Sequence, residues 1–450
     1  MALARIDMAV SPSPDAARGS MQASPDRKHP DYYYHWVRDA ALTMDLVAKL
    51  YEEATDPQER EVWRTVLEDH TQFSLRLQEV PNPSNGLGEP KFYMNGSAFW
   101  DSWGRPQNDG PAIRAFATIH YGRHWVKQDG GSWDALYRSE LPATSIVKRD
   151  LEYVAHHWQD SSFDIWEEVN GYHFFNYMVY RRAMLEGAQL ARENNDPEAA
   201  RYYEIQAHAI AEKLDDYWDA RRNLVITTHG AENDGKGKTS NLDVQVLLAS
   251  THAAMDDGRY SPESERILAT TVAIIHEFQS LYKLNQDTAD LDLGPAIGRY
   301  PEDVYNGYGY EKGNPWVLAT ACVAEIHYRA LVQWQKDGHF DVTEVNLPFF
   351  RYASPTWKEL ETRFNGPIAL PWEINSNQTL FHDMLSEIKQ AGDRFLKRIA
   401  HHTPKDLNLY EQWNRDTGKS QGASHLTWSY ASFISAMGWR ERALHAISLD

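Results

Sequence analysis

A single cysteine, Cys322, stands among 450 residues, so no disulfide can form within the chain. Leu318, Cys322 and Ile326 recur at helical spacing, which marks the thiol as a core residue rather than a nucleophile. Long basic runs are missing as well. The net charge is −19, and such a surface repels phosphate backbones and anionic headgroups, so nucleic acid is excluded as an expected partner. Nor is there a run of roughly 18 apolar residues, the minimum for a membrane-crossing helix. Residues 1–10, MALARIDMAV, are too short and broken for a signal-peptide core. The expectation is either a cytoplasmic protein or a chain that begins after a removed signal. Strand signals are few, the clearest being Leu224-Val225-Ile226-Thr227-Thr228. No Walker loop, Gly-x-Ser-x-Gly elbow or HExxH motif occurs. His156-His157 and His401-His402 are adjacent rather than a helical turn apart, His276-Glu277 lacks a second histidine, and Asp287, Asp290 and Asp292 lack EF-hand spacing. No metal and no organic cofactor is expected.

What is present is apolar, aromatic and helical. A hydrophobic fraction of 42% fills a sizeable core, and 16 Trp with 24 Tyr is far above ordinary usage. Flat rings with a polar edge suit the faces of sugars, and large cores equally. Leu42, Leu46, Val47, Leu50 and Tyr51 form one helical stripe; Ile146, Val147, Leu151 and Val154 a second; Leu268, Val272 and Ile275 a third; Leu426, Tyr430, Phe433 and Met437 a fourth. Further helices are predicted near 57–78, 111–127, 172–194, 196–219, 315–336 and 378–400. Residues 1–30 are expected to be irregular and 31–450 a single all-α domain. Long connections at 80–110, 159–171, 285–315 and 404–424 carry clustered Trp, Tyr, Arg and acids. Long structured loops on a helical scaffold are commonly where function sits.

Two of these loops carry acids beside aromatic rings. In FDIWEEVNG, Glu167 and Glu168 follow Trp166; in LNLYEQWNRDTG, Glu411 lies between Tyr410 and Trp413. Glycosidic hydrolysis needs one protonated carboxyl at the leaving oxygen and one ionised carboxylate on the opposite side. Neighbouring Glu167 and Glu168 cannot be that pair, because adjacent residues of an extended loop point to different sides. One of them can meet the bond and the other a sugar hydroxyl. The charge of the second, with desolvation by Trp166, would help the first keep its proton. The base must then come from elsewhere, and Glu411 is a candidate, although alone it reads as a surface loop acid. Arg38 and Asp39, next to Trp36, could fork-bind hydroxyls, as could Arg299 with Glu302 and Asp303; each group could equally be a structural salt bridge.

In this order the segments PDYYYHWVRDAALT, NGLGEPKF, SWGRPQNDGPAIRA, DIWEEVNGYHFF, GRYPEDVYNG, GNPWVLAT, EQWNRDTG and HLTWSYASF resemble the glucoamylases of glycoside hydrolase family 15, of the fungal and yeast type. They run from about residue 22 to 440. The resemblance implies an (α/α)6 barrel with long active-site loops at one mouth. It implies Glu167 as general acid, Glu411 as base and Glu168 on the leaving-side sugar. It places Arg38 and Asp39 on the 4- and 6-hydroxyls of the terminal glucose, and Arg299 on the sugar as well. Tyr32, Trp36, Trp103, Trp166, Tyr305, Trp316 and Trp428 align with the pocket wall.

The implied activity is exo-acting, inverting hydrolysis of α-1,4-glucans and malto-oligosaccharides from non-reducing ends, slower on α-1,6 links, with release of β-D-glucose. Its partner is starch or maltodextrin, with no membrane and no nucleic acid, and the protein is expected to act as a monomer. An inverting pair would hold its carboxyl groups about 6.5–9.5 Å apart. NGYGYEKG, residues 306–313, is longer than the family's usual link. The optional starch-binding domain is expected to be missing, so granular starch should be a poor substrate. Rival readings are a phosphorylase, an α-1,6- or trehalose-directed hydrolase on the same barrel, and a non-catalytic sugar binder.

Overall fold

Three of the helices start at a side-chain cap followed by proline. Asp56, Asp196 and Ser354 each precede a proline, and their side chains accept the backbone N–H of Gln58, Ala199 and Trp357 at 2.9, 3.3 and 3.1 Å. Helices Pro57–Leu77, Pro197–Leu214 and Pro355–Arg363 therefore begin with proline where its missing N–H has no helical partner to lose. Gly338, at φ 74°, closes Val317–Asp337 in the left-handed conformation that favours glycine.

The computed structural model of the protein describes residues 2–230, 238–288, 290–364 and 368–448. Among them are fifteen α-helices, and the strands are only two to four residues long, which makes the fold all-α. The predicted helices appear as Pro57–Leu77, Asp109–Gln128, Phe174–Glu193, Pro197–Leu214, Val317–Asp337 and Thr379–His402. Two readings need correction. The leading segment contains a helix, Ala2–Ala9, whose Ile6 and Ala9 are buried. The 224–228 strand is two short strands belonging to different sheets: Leu224–Val225 pairs with Trp218–Asp219, and Thr228–His229 with Asn170–His173. A run of β-branched residues marks extended backbone but does not choose its partner.

Two compact units divide the chain. One comprises Met1–Asp216, Thr228–Gly237 and His425–Ala431; the other comprises Tyr217–Thr227, Lys238–Ser424 and Ser432–Asp450. Each contains helices of two kinds. In the first unit, every residue from Asp109 to Ile119 of Asp109–Gln128 is buried, whereas Pro57–Leu77 buries one stripe, Trp63, Val66, Leu67, His70, Phe73, Ser74 and Leu77. In the second, Val317 to Tyr328 are buried without a break, and Thr379–His402 buries the stripe through Phe381, Met384, Leu385, Ile388, Phe395 and Ile399. A helix covered on all sides and a helix covered on one are the inner and outer elements of a layered helical fold.

A helix buried all round must pair its charges. Arg114 of Asp109–Gln128 makes a fork with Asp150 at 2.8 and 2.6 Å. One turn and a half earlier, Asp109 accepts a second fork from Arg38.

Candidate active site

Glu167 lies on a tight hairpin. Strand Ser162–Phe163 pairs with Asn170–His173 in the register Ser162↔Gly171 and Phe163↔Asn170, and residues 164–169 form the tip. Asp164 closes it: its Oδ1 accepts the N–H groups of Glu168 and Val169 at 2.8 and 3.1 Å, its N–H bonds to the Val169 carbonyl at 3.0 Å, and its carbonyl accepts the Glu167 N–H at 2.9 Å. Asn170-Gly171, a pair whose propensity favours turns, lies in the returning strand. The stretch is also not extended, because Glu167 sits at φ 64°. That left-handed conformation costs a non-glycine residue about 1–3 kcal/mol and persists only where its surroundings enforce it. The direction of the Glu167 side chain is thus set by a strained turn. Asp164→Ala should cost about 1–3 kcal/mol through the two N–H groups it leaves without an acceptor, and should lower kcat more than it raises KM. Urea unfolding and steady-state kinetics would measure both.

The Glu167 carboxyl is held from remote parts of the first unit. Its Oε1 accepts hydrogen bonds from Trp36 Nε1 and Gln107 Nε2, both at 2.9 Å. Burial pushes its pKa above the ordinary carboxylate value, against the opposing pull of Arg38, Gln107, Lys91 and Trp103. Desolvation is the main cause, and the indole bonded to the carboxyl is Trp36. Asp39 couples to Glu167 and is pushed up to about 7 mainly by burial, with Arg38 opposing and Glu167 adding to the rise.

The aromatic residues assemble around this carboxyl. Tyr32 and Trp103 flank Trp36 at ring distances of 5.4 and 6.2 Å, and Trp166 stacks on Trp428 at 6.3 Å. Lys91 was not singled out from the sequence. It is buried, with Nζ 3.3 Å from the Trp103 ring centroid, 4.1 Å from Phe99, 4.3 Å from Tyr34 and 4.6 Å from Trp36. Burial draws its pKa down to about 8, yet the ring faces and nearby Glu167 still favour the cation. Arg38, which follows Trp36 by two residues, is a buried pillar. Besides Asp109 it donates to Gln107 Oε1 at 2.7 Å and to the Ile165 carbonyl at 3.2 Å. Its guanidinium thereby ties helix Val37–Glu53 to helix Asp109–Gln128 and to the hairpin that carries Glu167.

In the second unit, Glu411 is fully buried. Its N–H bonds to the Ala423 carbonyl at 2.8 Å and its own carbonyl accepts the Val317 N–H; the adjacent strands Gln412–Trp413 and Ser420–Gln421 pair antiparallel. Gly422, at φ 74°, leaves the space for its side chain, since a Cβ there would lie 2.2 Å from Oε2. Trp316 bridges to Gln412, and Gln412 accepts a hydrogen bond from Asn314 at 2.9 Å. Arg299 makes a fork with Asp303 at 2.8 and 2.6 Å and lies 5.3–5.4 Å from the rings of Trp316 and Tyr305. The 306–313 segment is a small hairpin closed by the bridge Tyr305↔Tyr310 and by Asn306 Oδ1, which accepts the N–H groups of Tyr308 and Gly309. It presents Tyr308 and Tyr310 to solvent.

The first unit thus gathers Tyr32, Trp36, Arg38, Asp39, Trp103, Trp166, Glu167, Glu168 and Trp428, and the second holds Arg299, Tyr305, Trp316 and Glu411. Lys91, Gln107, Asp109, Asp164 and Gly422 join them from the structure. The first four lie inside the quoted segments NGLGEPKF, SWGRPQNDGPAIRA and DIWEEVNGYHFF, but nothing in those words says which side chain each would touch. Cys322 is buried as expected, and its thiol pKa is raised by burial, which keeps it from acting as a nucleophile.

A carboxyl whose protonated form is favoured by burial, fixed by an indole and an amide and walled by tryptophans, is the equipment of an acid catalyst acting on a sugar. The model of the family described as "Glycosyl hydrolases family 15" matches residues 1–438. The chain is 38% identical over 437 residues to a glucoamylase of Blastobotrys adeninivorans, covering 95% of this chain and 68% of that protein. It is 39% identical over 423 residues to glucoamylase 1 of Rhizopus oryzae, covering 94% and 67%. Among solved structures, the glucoamylase of Saccharomycopsis fibuligera superposes with a TM-score of 0.88 at 30% identity, over 98% of this chain and 94% of that one. The chain belongs to glycosyl hydrolase family 15. It is a glycoside hydrolase, and its fold is the (α/α)6 barrel.

Proposed function

We infer that the chain is a glucoamylase: an exo-acting, inverting hydrolase that releases β-D-glucose from the non-reducing ends of α-1,4-glucans and malto-oligosaccharides, and acts more slowly on α-1,6 links. The observation that carries this reading is the state of Glu167, a carboxyl whose burial favours its protonated form and whose Oε1 is fixed by Trp36 and Gln107. In this mechanism Glu167 protonates the glycosidic oxygen while Glu411 takes a proton from the attacking water. Asp39 and Arg38 bind the terminal glucose, with Arg38 using donor capacity beyond its fork to Asp109. Glu168 binds the leaving-side sugar, Arg299 binds sugar hydroxyls, and Tyr32, Trp36, Trp103, Trp166, Tyr305, Trp316 and Trp428 wall the pocket.

The test is the anomer released first. Proton NMR of the glucose formed from maltotriose in the first minutes, before mutarotation, should show the β form. The α form would mean retention, and Glu411 would then have to be recast as a nucleophile. No glucose from maltotriose, isomaltose or trehalose would overturn the hydrolytic reading.

A further inference from the structure

The same two helices that carry Arg38 and Asp109 at their first turns meet again about 20 Å further on, and there they bring together groups that the proposed reaction does not use. Glu52 is in the last turn of Val37–Glu53, and His120 and His124 are one turn apart on Asp109–Gln128. The two ring nitrogens and the Glu52 carboxylate lie within 4.8 Å of one another, and among the described residues this is the one His/Cys/Asp/Glu group with such geometry. The spacing His-x-x-x-His is in the sequence, in IHYGRHW, but Glu52 arrives from 68 residues away.

We propose that Glu52, His120 and His124 form a binding site for a borderline divalent transition ion of the zinc class. The distances carry the argument first. His120 Nε2 and His124 Nε2 are each 3.3 Å from an oxygen of Glu52. That is long for a hydrogen bond between a carboxylate and an imidazole, where about 2.7–2.9 Å is usual. Oε2 faces His120 and Oε1 faces His124, and each separation is close to that of two donors sharing one ion at about 2.0–2.1 Å. The surroundings carry it second. Asp45 Oδ1 is 2.8 Å from His120 Nδ1, and Asp45 is itself held by Arg182 at 3.0 and 3.4 Å, with Arg182 Nε also bonded to Glu186 at 2.7 Å. A proton on Nδ1 directed at a carboxylate turns the Nε2 lone pair outward, which is the usual support of a metal-bound histidine. The other ring, His124, has its Nδ1 buried without a hydrogen-bond partner.

The donor set names the ion. Two imidazoles and one carboxylate suit zinc and its neighbours, and they do not suit calcium or magnesium, which take oxygen ligands. Three protein ligands leave one position to water, and partial exposure of Glu52, His120 and His124 gives the ion a path in. Bound there, the ion ties the C-terminal ends of two helices whose N-terminal ends are tied by Arg38 and Asp109. Its role is to clamp this helix pair, and the hydrolytic step does not pass through it.

Isothermal titration of the chelator-treated, refilled-buffer protein with zinc alone should show one saturable site, and zinc should raise Tm by several degrees, because a ion that binds only the native state stabilises it. Cobalt(II) in place of zinc should give the intense visible absorption of four-coordinate ligation. His124→Gln should abolish both the titration and the cobalt band. Asp45→Asn, which changes a positioning residue, should weaken zinc binding about 10- to 100-fold and leave the cobalt band in place at saturation. Circular dichroism and maltose hydrolysis without metal should be unchanged in His124→Gln, which separates loss of the site from loss of the fold. No saturable binding, or binding that survives His124→Gln, would reduce the group to an ion-pair cluster only and overturn the proposal.

Discussion

Glu167→Gln should lower kcat on maltose by about 10²- to 10⁴-fold, the range of a lost general acid, while leaving the fold and substrate binding close to wild type. The amide keeps a carbonyl oxygen for Trp36 Nε1 and Gln107 Nε2, so the hairpin loses little; only the transferable proton is gone. The discriminating substrate is α-D-glucosyl fluoride, whose leaving group departs without protonation. On it, Glu167→Gln should lose far less than on maltose. The pH profile supplies a second readout. Because burial raises the pKa of Glu167, wild-type activity on maltose should persist to a higher pH than an ordinary carboxyl would allow, and should fall as pH rises through that raised value. The alkaline limb that belongs to this group should be missing from the variant's residual activity. Wild-type turnover of maltose by Glu167→Gln would remove Glu167 from its proposed role.

The second large effect is the opposite in kind. Glu411→Gln should abolish turnover on maltose and on α-D-glucosyl fluoride alike, because water must be activated whichever group leaves. An unreactive thio-linked disaccharide should still bind within a few-fold of wild type, as measured by calorimetry. The carboxyl is fully buried, and the missing Cβ of Gly422 is what gives Oε2 its room, so the isosteric amide fits the same space. Fluoride turnover that survives Glu411→Gln would assign the base elsewhere. Together the two variants form a pair: leaving-group chemistry rescues the acid mutant and cannot rescue the base mutant.

The fold shows why some of this was legible in sequence. Stripes such as Leu42, Val47 and Tyr51 and caps such as Asp56-Pro57 act over one to four residues, so they can be read without knowing the partner. The catalytic candidates were legible for a similar reason: Glu167 and Glu411 stand in short aromatic words that resemble a family. What those words could not give is environment. The hydrogen bond from Trp36 to Glu167 spans 131 residues, and the one from Gln107 spans 60. Arg38 read as a sugar ligand or a salt bridge with equal right, and only its fork with Asp109, 71 residues on, shows that it is at least the second. Asn170-Gly171 has the propensity of a turn; pairing with Ser162–Phe163 overrides that propensity and leaves the turn to the residues that Asp164 can close.

The sequence by itself determined most of the helices and the family, and it supplied Glu167 and Glu411 as the candidate acids, because periodicity, capping and motif are local properties of the chain. The tertiary structure alone decided that Glu167 turns left-handed into a buried aromatic setting, that Lys91 sits among four rings, and that Glu52 meets His120 and His124. Burial, charge coupling and ligand geometry are set by neighbours distant in sequence, and no local pattern encodes which of them will be near.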